Sequence, residues 1–336
     1  MPERILIVAP SWVGDAILSE PLIAVLREPL AAPVIDVLAA PWCAPVYARV
    51  RGVTGVAESP FRHGELALGR RRGLAQELRA RRYTLAFVLP NSFKSALIPW
   101  LARIPRRIGY TGEMRRALLT DARRLDRTLA RMVDRFVALA VPKGRPIPTP
   151  PGPVLVPDAA NAGAALRSLG LSTRRPIAIL CPGAEYGPAK RWPTEHFVAL
   201  ARALLDDGFA VWLMGSPNDQ AAAQPIAAAL PEIRDLAGRT DLGTAIDLLS
   251  LAAIVVSNDS GLMHAAAAVG RPLIALFGSS SPEYTPPLSA LARVARIEIA
   301  CSPCFQRECP LGHFKCMRDL DPIEVHRLAR SAAAPR

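Results

Sequence analysis

Arg4-Ile5-Leu6-Ile7-Val8-Ala9-Pro10-Ser11-Trp12-Val13-Gly14-Asp15-Ala16 opens the chain almost at its first residue. Residues 4–9 form a short apolar run of the length and composition of a strand buried on both faces. Pro10 ends it, and a helical pattern sets in at about Asp15 and continues to Arg27. A buried strand that feeds through a short loop into a helix is the first half of a βαβ unit. Such units need a parallel sheet covered on both faces.

The same alternation extends outward from this stretch. Residues 34–38 and 85–89 read as further strands, with a basic helical segment between them that carries Arg70, Arg71, Arg72, Arg79, Arg81 and Arg82. Between Pro142 and Pro157 the pattern stops. Pro142, Pro146, Pro148, Pro150, Pro151, Pro153 and Pro157 fall within this stretch, which neither a helix nor a central strand tolerates. Beyond it, 176–181, 210–214, 254–257 and 272–277 read as strands, and 194–205, 220–230, 244–251 and 260–269 as helices. The expectation is an α/β protein of two Rossmann-like domains, 1–150 and 158–336, joined by an extended linker over 142–157. Two such domains would present a ligand cleft between the carboxyl ends of their sheets.

Charge marks the same boundary. Residues 1–150 hold 24 Lys and Arg against 12 Asp and Glu, whereas the remainder holds 17 of each, so the whole net charge of +12 belongs to the first half. A field of this kind suits nucleic acid, an anionic membrane surface or a polyanionic substrate. The competing explanation is arginine spread over solvated faces. No helix-turn-helix and no aromatic-interleaved basic strand is present, so nucleic acid is not an expected partner. No apolar run approaches the roughly 18 to 20 residues that cross a bilayer. The opening residues also lack the pattern of a signal peptide, which points to the cytoplasm.

Four stretches carry side chains suited to chemistry. In the opening loop, Asp15 either caps the first helix or stands as a general base at its head. The lone Gly14 is not the three-glycine fingerprint of a dinucleotide site, so no NAD or FAD is expected. The loop Pro182-Gly183-Ala184-Glu185-Tyr186-Gly187-Pro188-Ala189-Lys190-Arg191-Trp192-Pro193 leaves a strand and enters a helix. Its Lys-Arg pair is either a solvated surface pair or a cation poised on a phosphate leaving group. In Ser257-Asn258-Asp259-Ser260-Gly261-Leu262-Met263-His264, a strand end turns into a helix start whose amides could hold a pyrophosphate, with Asp259 orienting them or holding a ribose hydroxyl. His264 reads equally as a structural side chain or as part of that mouth. The segment 301–316 holds Cys301, Cys304, Cys309 and Cys316. Its first pair has metal-knuckle spacing and its second does not, which leaves free thiols, a reversible disulfide or a structural metal open.

Six stretches taken in order resemble the bacterial lipopolysaccharide heptosyltransferases of glycosyltransferase family 9. They are Pro-Ser-Trp-Val-Gly-Asp at 10–15, Leu-Pro-Asn-Ser-Phe-Lys-Ser-Ala-Leu at 89–97, Arg-Ile-Gly-Tyr at 107–110, the loop 182–193, Asn-Asp-Ser-Gly-Leu-Met-His at 258–264 and Cys-Phe-Gln-Arg-Glu-Cys-Pro-Leu-Gly-His at 304–313. The resemblance implies a GT-B fold and an inverting glycosyl transfer that uses no metal and no cofactor. It further implies an acceptor on the first domain and ADP-heptose on the second. Asp15 matches the family's base, Lys190 its phosphate-binding lysine, and Asp259, Ser260, Gly261, Leu262 and His264 its pyrophosphate loop. Gly14, Glu185 and Tyr186 join the donor contacts. The stretch 184–189 is similar to the members that add the second heptose, to a Kdo-lipid A core already carrying one.

Such an acceptor is a polyanionic glycolipid of the inner leaflet. A peripheral place at the anionic inner-membrane surface and acceptor contacts from Lys94, Arg106, Arg107, Arg115 and Arg116 are therefore expected. A first-heptose transferase and a sugar-nucleotide 2-epimerase of the same fold are the alternatives.

Overall fold

The computed structural model describes residues 3–28, 32–61 and 65–333. The chain divides into two compact units, Met1–Val154 and Leu155–Arg336, with the division inside the proline-rich run.

The first unit is built on six parallel strands: β1 Arg4–Val8, β2 Val34–Ala39, β3 Gly55–Glu58, β4 Leu85–Val88, β5 Arg106–Tyr110 and β6 Asp121–Arg123. Their order is β3-β2-β1-β4-β5-β6. The central strands are apolar because helices cover both faces of the sheet, and Ile5, Leu6, Ile7 and Ala86 are fully buried. The order reverses between β1 and β4. The loops that leave those two strands, 9–12 and 89–92, therefore splay apart and open a crevice at the carboxyl edge.

The second unit repeats the plan with β7 Ile177–Cys181, β8 Ala210–Leu213, β9 Arg234–Asp235, β10 Ile254–Asn258, β11 Leu273–Leu276 and β12 Ala292–Ala295. All are parallel, in the order β12-β11-β10-β7-β8-β9. Read from the other edge this is the same doubly wound order, and its reversal lies between β7 and β10. A core of Leu180, Phe197, Leu200, Leu213, Ile226, Val256 and Met317 fills one face. Among the described residues no helix is long and apolar enough to cross a membrane.

Several expectations are corrected. The helix read over 15–27 is two helices, Val13–Leu18 and Glu20–Arg27. Pro21 causes the break, since it offers no N–H and its ring crowds the carbonyl four residues back. Ser19 fills the joint, its hydroxyl donating to the Ala16 carbonyl at 2.7 Å and meeting the Tyr47 hydroxyl at 2.9 Å. Arg106 and Arg107 are not loop cations: they lie at the amino end of β5, on the edge opposite the crevice. Arg106 pairs with Glu3, and the Arg107 guanidinium donates to the carbonyls of Ile104 and, at 2.7 Å, Leu118.

Arg115 is also not a surface cation, because it is completely buried. Its guanidinium donates to the carbonyls of Tyr110 (2.8 Å), Ser92 (3.3 Å) and Pro90, and to Asn91 Oδ1 (3.2 Å) and Ser95 Oγ (3.2 Å). Burial pulls its pKa down to about 10, so it stays charged at neutral pH. Arg115 thus staples the loop that leaves β4 and fixes one wall of the crevice.

Arg115→Ala would leave those carbonyls without a donor in a dry site, at a cost of about 3 kcal/mol. The exposed neighbour change Arg116→Ala should stay within about 0.5 kcal/mol. Urea unfolding of the two variants checks this, and a loss below about 1 kcal/mol for Arg115→Ala would remove the clamp.

Candidate active site

In the second unit, β7 and β10 run side by side with Cys181 level with Ser257. Their exits are tied together by one side chain. Asn258 accepts from the Trp192 N–H through Oδ1 (3.1 Å) and donates from Nδ2 to the Pro182 carbonyl (2.7 Å). It therefore holds both ends of the loop 182–192. Within that loop Gly187 takes φ +157°, and a Cβ there would stand 2.4 Å from the Arg307 carbonyl oxygen, so only glycine fits.

The loop delivers Lys190, on the turn Pro188–Lys190, to Asp259 at the head of the helix Gly261–Ala268. Lys190 Nζ lies 2.5 Å from Asp259 Oδ2, and the Ser280 hydroxyl donates to the same oxygen at 2.5 Å. The Asp259 side chain is 5% exposed and that of Lys190 17%, so the pair is shielded from bulk screening. Ser260, at the helix N-cap, makes no side-chain bond to the first turn. The amides of Ser260, Gly261 and Leu262 have no intrahelical acceptor at this position, and the helix dipole adds positive potential. Chemically, such an arrangement suits an anion, with a cation beside it.

The remaining candidates fall around this centre. The Tyr186 ring lies under Lys190, 5.0 Å from Nζ to the ring centre, and its hydroxyl donates to the Phe305 carbonyl at 2.8 Å. Glu185 is exposed and accepts from Asn218 at 3.2 and 3.3 Å, on the β8 side of the loop. His264 is buried in the first helical turn. Burial pulls its pKa down to about 4; the Asp259 charge opposes that shift and the Lys190 charge adds to it. Its imidazole is neutral at physiological pH. The sequence gives no sign of Ser280, since a serine after a strand carries no spacing signature, and it places Asn258 in the 258–264 stretch without a role of its own.

In the first unit, Gly14 and Asp15 lie in the first turn of Val13–Leu18, both half-buried. Trp12 occupies the N-cap and Asp15 the third helical position, so Asp15 is not the N-cap residue. The Cys43 thiol is pushed up to about 12 by burial and then by the Asp15 charge, which places that carboxylate beside Cys43. Trp12 and Trp42 are about half exposed at the same edge, and Trp42 Nε1 donates to the Ser11 carbonyl at 2.8 Å. Among the described residues Arg116, in the turn after β5, and Arg124 and Arg127, after β6, are exposed cations.

All six cysteines are free thiols. Cys301 Sγ lies 4.0 Å from His313 Nε2, and backbone amides, led by that of Phe314 at 3.4 Å, hold the Cys309 thiol below its usual range. Among the described residues no three Cys, His, Asp or Glu side chains are grouped to hold a metal ion.

Two doubly wound parallel sheets are the α/β architecture of the GT-B class. Residues 71–315 match the model of Glycosyltransferase family 9 (heptosyltransferase), and the chain belongs to that family. It is 44% identical to lipopolysaccharide heptosyltransferase 2 of Salmonella typhimurium, over 96% of each chain. To lipooligosaccharide heptosyltransferase 2 of Haemophilus influenzae it is 46% identical over 88% of each. The solved structure of the Escherichia coli ADP-heptose lipopolysaccharide heptosyltransferase II superposes with a TM-score of 0.87 at 40% identity, covering 98% of both chains.

The depressed His264 pKa has a sign that can be checked. An imidazole with a pKa of 6.5 when unfolded and about 4 when folded binds its proton preferentially in the unfolded chain. Its contribution to stability is therefore complete above pH 6.5 and is lost as pH falls toward 4. Between pH 7 and pH 5 this removes roughly 2 kcal/mol from the wild type that His264→Leu does not lose. Parallel urea midpoints for the two proteins across that range would contradict it.

Proposed function

We propose that this protein moves a heptose from ADP-L-glycero-D-manno-heptose onto the first heptose of heptosyl-Kdo-lipid A, in lipopolysaccharide core assembly. The observation that carries the reading is the Lys190–Asp259–Ser280 cluster at the head of Gly261–Ala268. It stands in a chain whose near-full-length relatives are named heptosyltransferase 2. Neither the first-heptose enzyme nor the 2-epimerase is favoured by those matches.

In this reading the second unit binds the donor. The amides of Ser260, Gly261 and Leu262 receive the diphosphate, with Glu185 and Tyr186 along the loop. The first unit takes the acceptor. Asp15 removes the proton from the attacking heptose hydroxyl, whose oxygen bonds to the donor's anomeric carbon as the bond to the β-phosphate oxygen breaks. The electron pair leaves with ADP, and Lys190 offsets the charge gathering on the β-phosphate. A single displacement inverts the anomeric configuration and calls for no metal, cofactor or covalent intermediate.

The acceptor's carboxylates and phosphates suit the exposed Arg116, Arg124 and Arg127, and the Trp12 and Trp42 faces suit sugar rings. The same charge favours a cytoplasmic protein held peripherally at the anionic inner-membrane surface, each cation adding about 1 kcal/mol there.

The test is ADP release by the purified protein with ADP-heptose and defined cores. Release should require an acceptor carrying one heptose, and equal turnover on a core with none would contradict the assignment. Asp15→Asn should lower kcat by about 10²–10⁴-fold with donor affinity unchanged. Retention of more than about a tenth of kcat would remove the base role.

A further inference from the structure

The motif at 304–313 has no part in the chemistry above, yet it meets the donor loop at several points. The Arg307 carbonyl accepts from the Ala189 N–H at 3.0 Å, next to Lys190. The Phe305 carbonyl accepts from the Tyr186 hydroxyl. The Arg307 backbone also fills the space that a side chain at Gly187 would need. The Arg307 guanidinium lies 5.2 Å from the centre of the Tyr186 ring, and Lys190 Nζ lies 5.0 Å from the same ring. One aromatic ring thus gathers two cations.

Their charge states differ in what they leave available. Lys190 is paired with Asp259, so part of its charge is offset before an anion arrives. Arg307 is exposed, and among the described residues no carboxylate pairs with it. Its main chain is pinned by the loop and its side chain rests on the tyrosine, so little freedom is left to lose on binding. A nucleoside diphosphate carries several negative charges, more than one paired lysine and a helix dipole offset. A guanidinium fork matches phosphate oxygens two at a time.

We propose that Arg307 is the second cation of the donor site and binds the terminal phosphate of the nucleoside diphosphate beside Lys190. This rests on the assignment of ADP-heptose to the second unit. It gives the 304–313 segment a function: its carbonyls set the loop that carries Lys190, and its arginine adds a second cation beside a lysine whose charge Asp259 partly offsets.

Titration calorimetry with ADP and AMP on the full chain tests it. Arg307→Met keeps the main-chain contacts and removes only the charge. It should weaken ADP binding about tenfold while AMP stays within about twofold of wild type. Arg307→Lys should recover part of the ADP affinity, because it restores charge without the fork. Unchanged ADP affinity in Arg307→Met overturns the inference, and so does an equal loss for ADP and AMP. Failure of the wild type to bind ADP would overturn the donor assignment itself, and this inference with it. Wild-type binding with an unaffected Arg307→Met would overturn this inference alone.

Discussion

The ion pair between Lys190 and Asp259 is the constraint around which the second unit is arranged. A nearly buried carboxylate is costly unless it is paired and hydrogen-bonded, and Asp259 Oδ2 receives both an ammonium and a hydroxyl. The loop from β7 that carries the lysine is stapled at both ends by Asn258 and bent at Gly187, where no other residue fits against Arg307. The strand order supplies the place. At the reversal between β7 and β10 the two exits diverge, and the helix following β10 points its amides into the gap. A cation held beside open amides, rather than among them, leaves the amides available for an anionic ligand.

The basic excess of the first unit divides into two uses. Many of its arginines work inside the fold. Arg115 is a buried clamp, Arg107 closes a loop, and Arg71 lies 4.0 Å from the Phe61 ring while donating to the carbonyls of Glu65, Leu66 and Lys94. Arginine suits such places because its planar fork satisfies several carbonyls at once and remains ionised when partly desolvated. Others are exposed, among them Arg116 after β5 and Arg124 and Arg127 after β6. The net charge of +12 therefore overstates the binding surface, since a cation bonded to backbone carbonyls presents little of itself to a ligand.

The parts of the fold legible in the sequence are those with an uninterrupted apolar signal. β1, β4, β7, β10 and β11 are central strands whose runs of Ile, Leu, Val and Ala admit little else. β5 lacks that signal because it begins Arg106-Arg107, and β9 because it is only Arg234–Asp235 at a sheet edge. The break at Ser19 is marked by Pro21, but the apolar period runs through it. At the site, Lys190 and the 258–264 turn stand out as strand-to-helix transitions, which local pattern reveals. Ser280 and Arg307 come from distant stretches, and only the tertiary fold brings them to Asp259 and Tyr186. Arg115 reads as a surface cation for the same reason: a charged residue in a loop-like context gives no local sign that five acceptors surround it.

In the proposed reaction the first unit supplies one proton acceptor, Asp15, and the second supplies charge compensation for the leaving diphosphate, with no glycosyl-enzyme bond formed between. That division has a stereochemical consequence that does not depend on rates or affinities. The direct measurement is the anomeric configuration of the transferred heptose, read by proton and carbon NMR on product made with purified protein from donor of known configuration. Direct displacement predicts a product of configuration opposite to the donor. Retention would require a covalent intermediate or a front-side path, and would contradict direct displacement with Asp15 as its base.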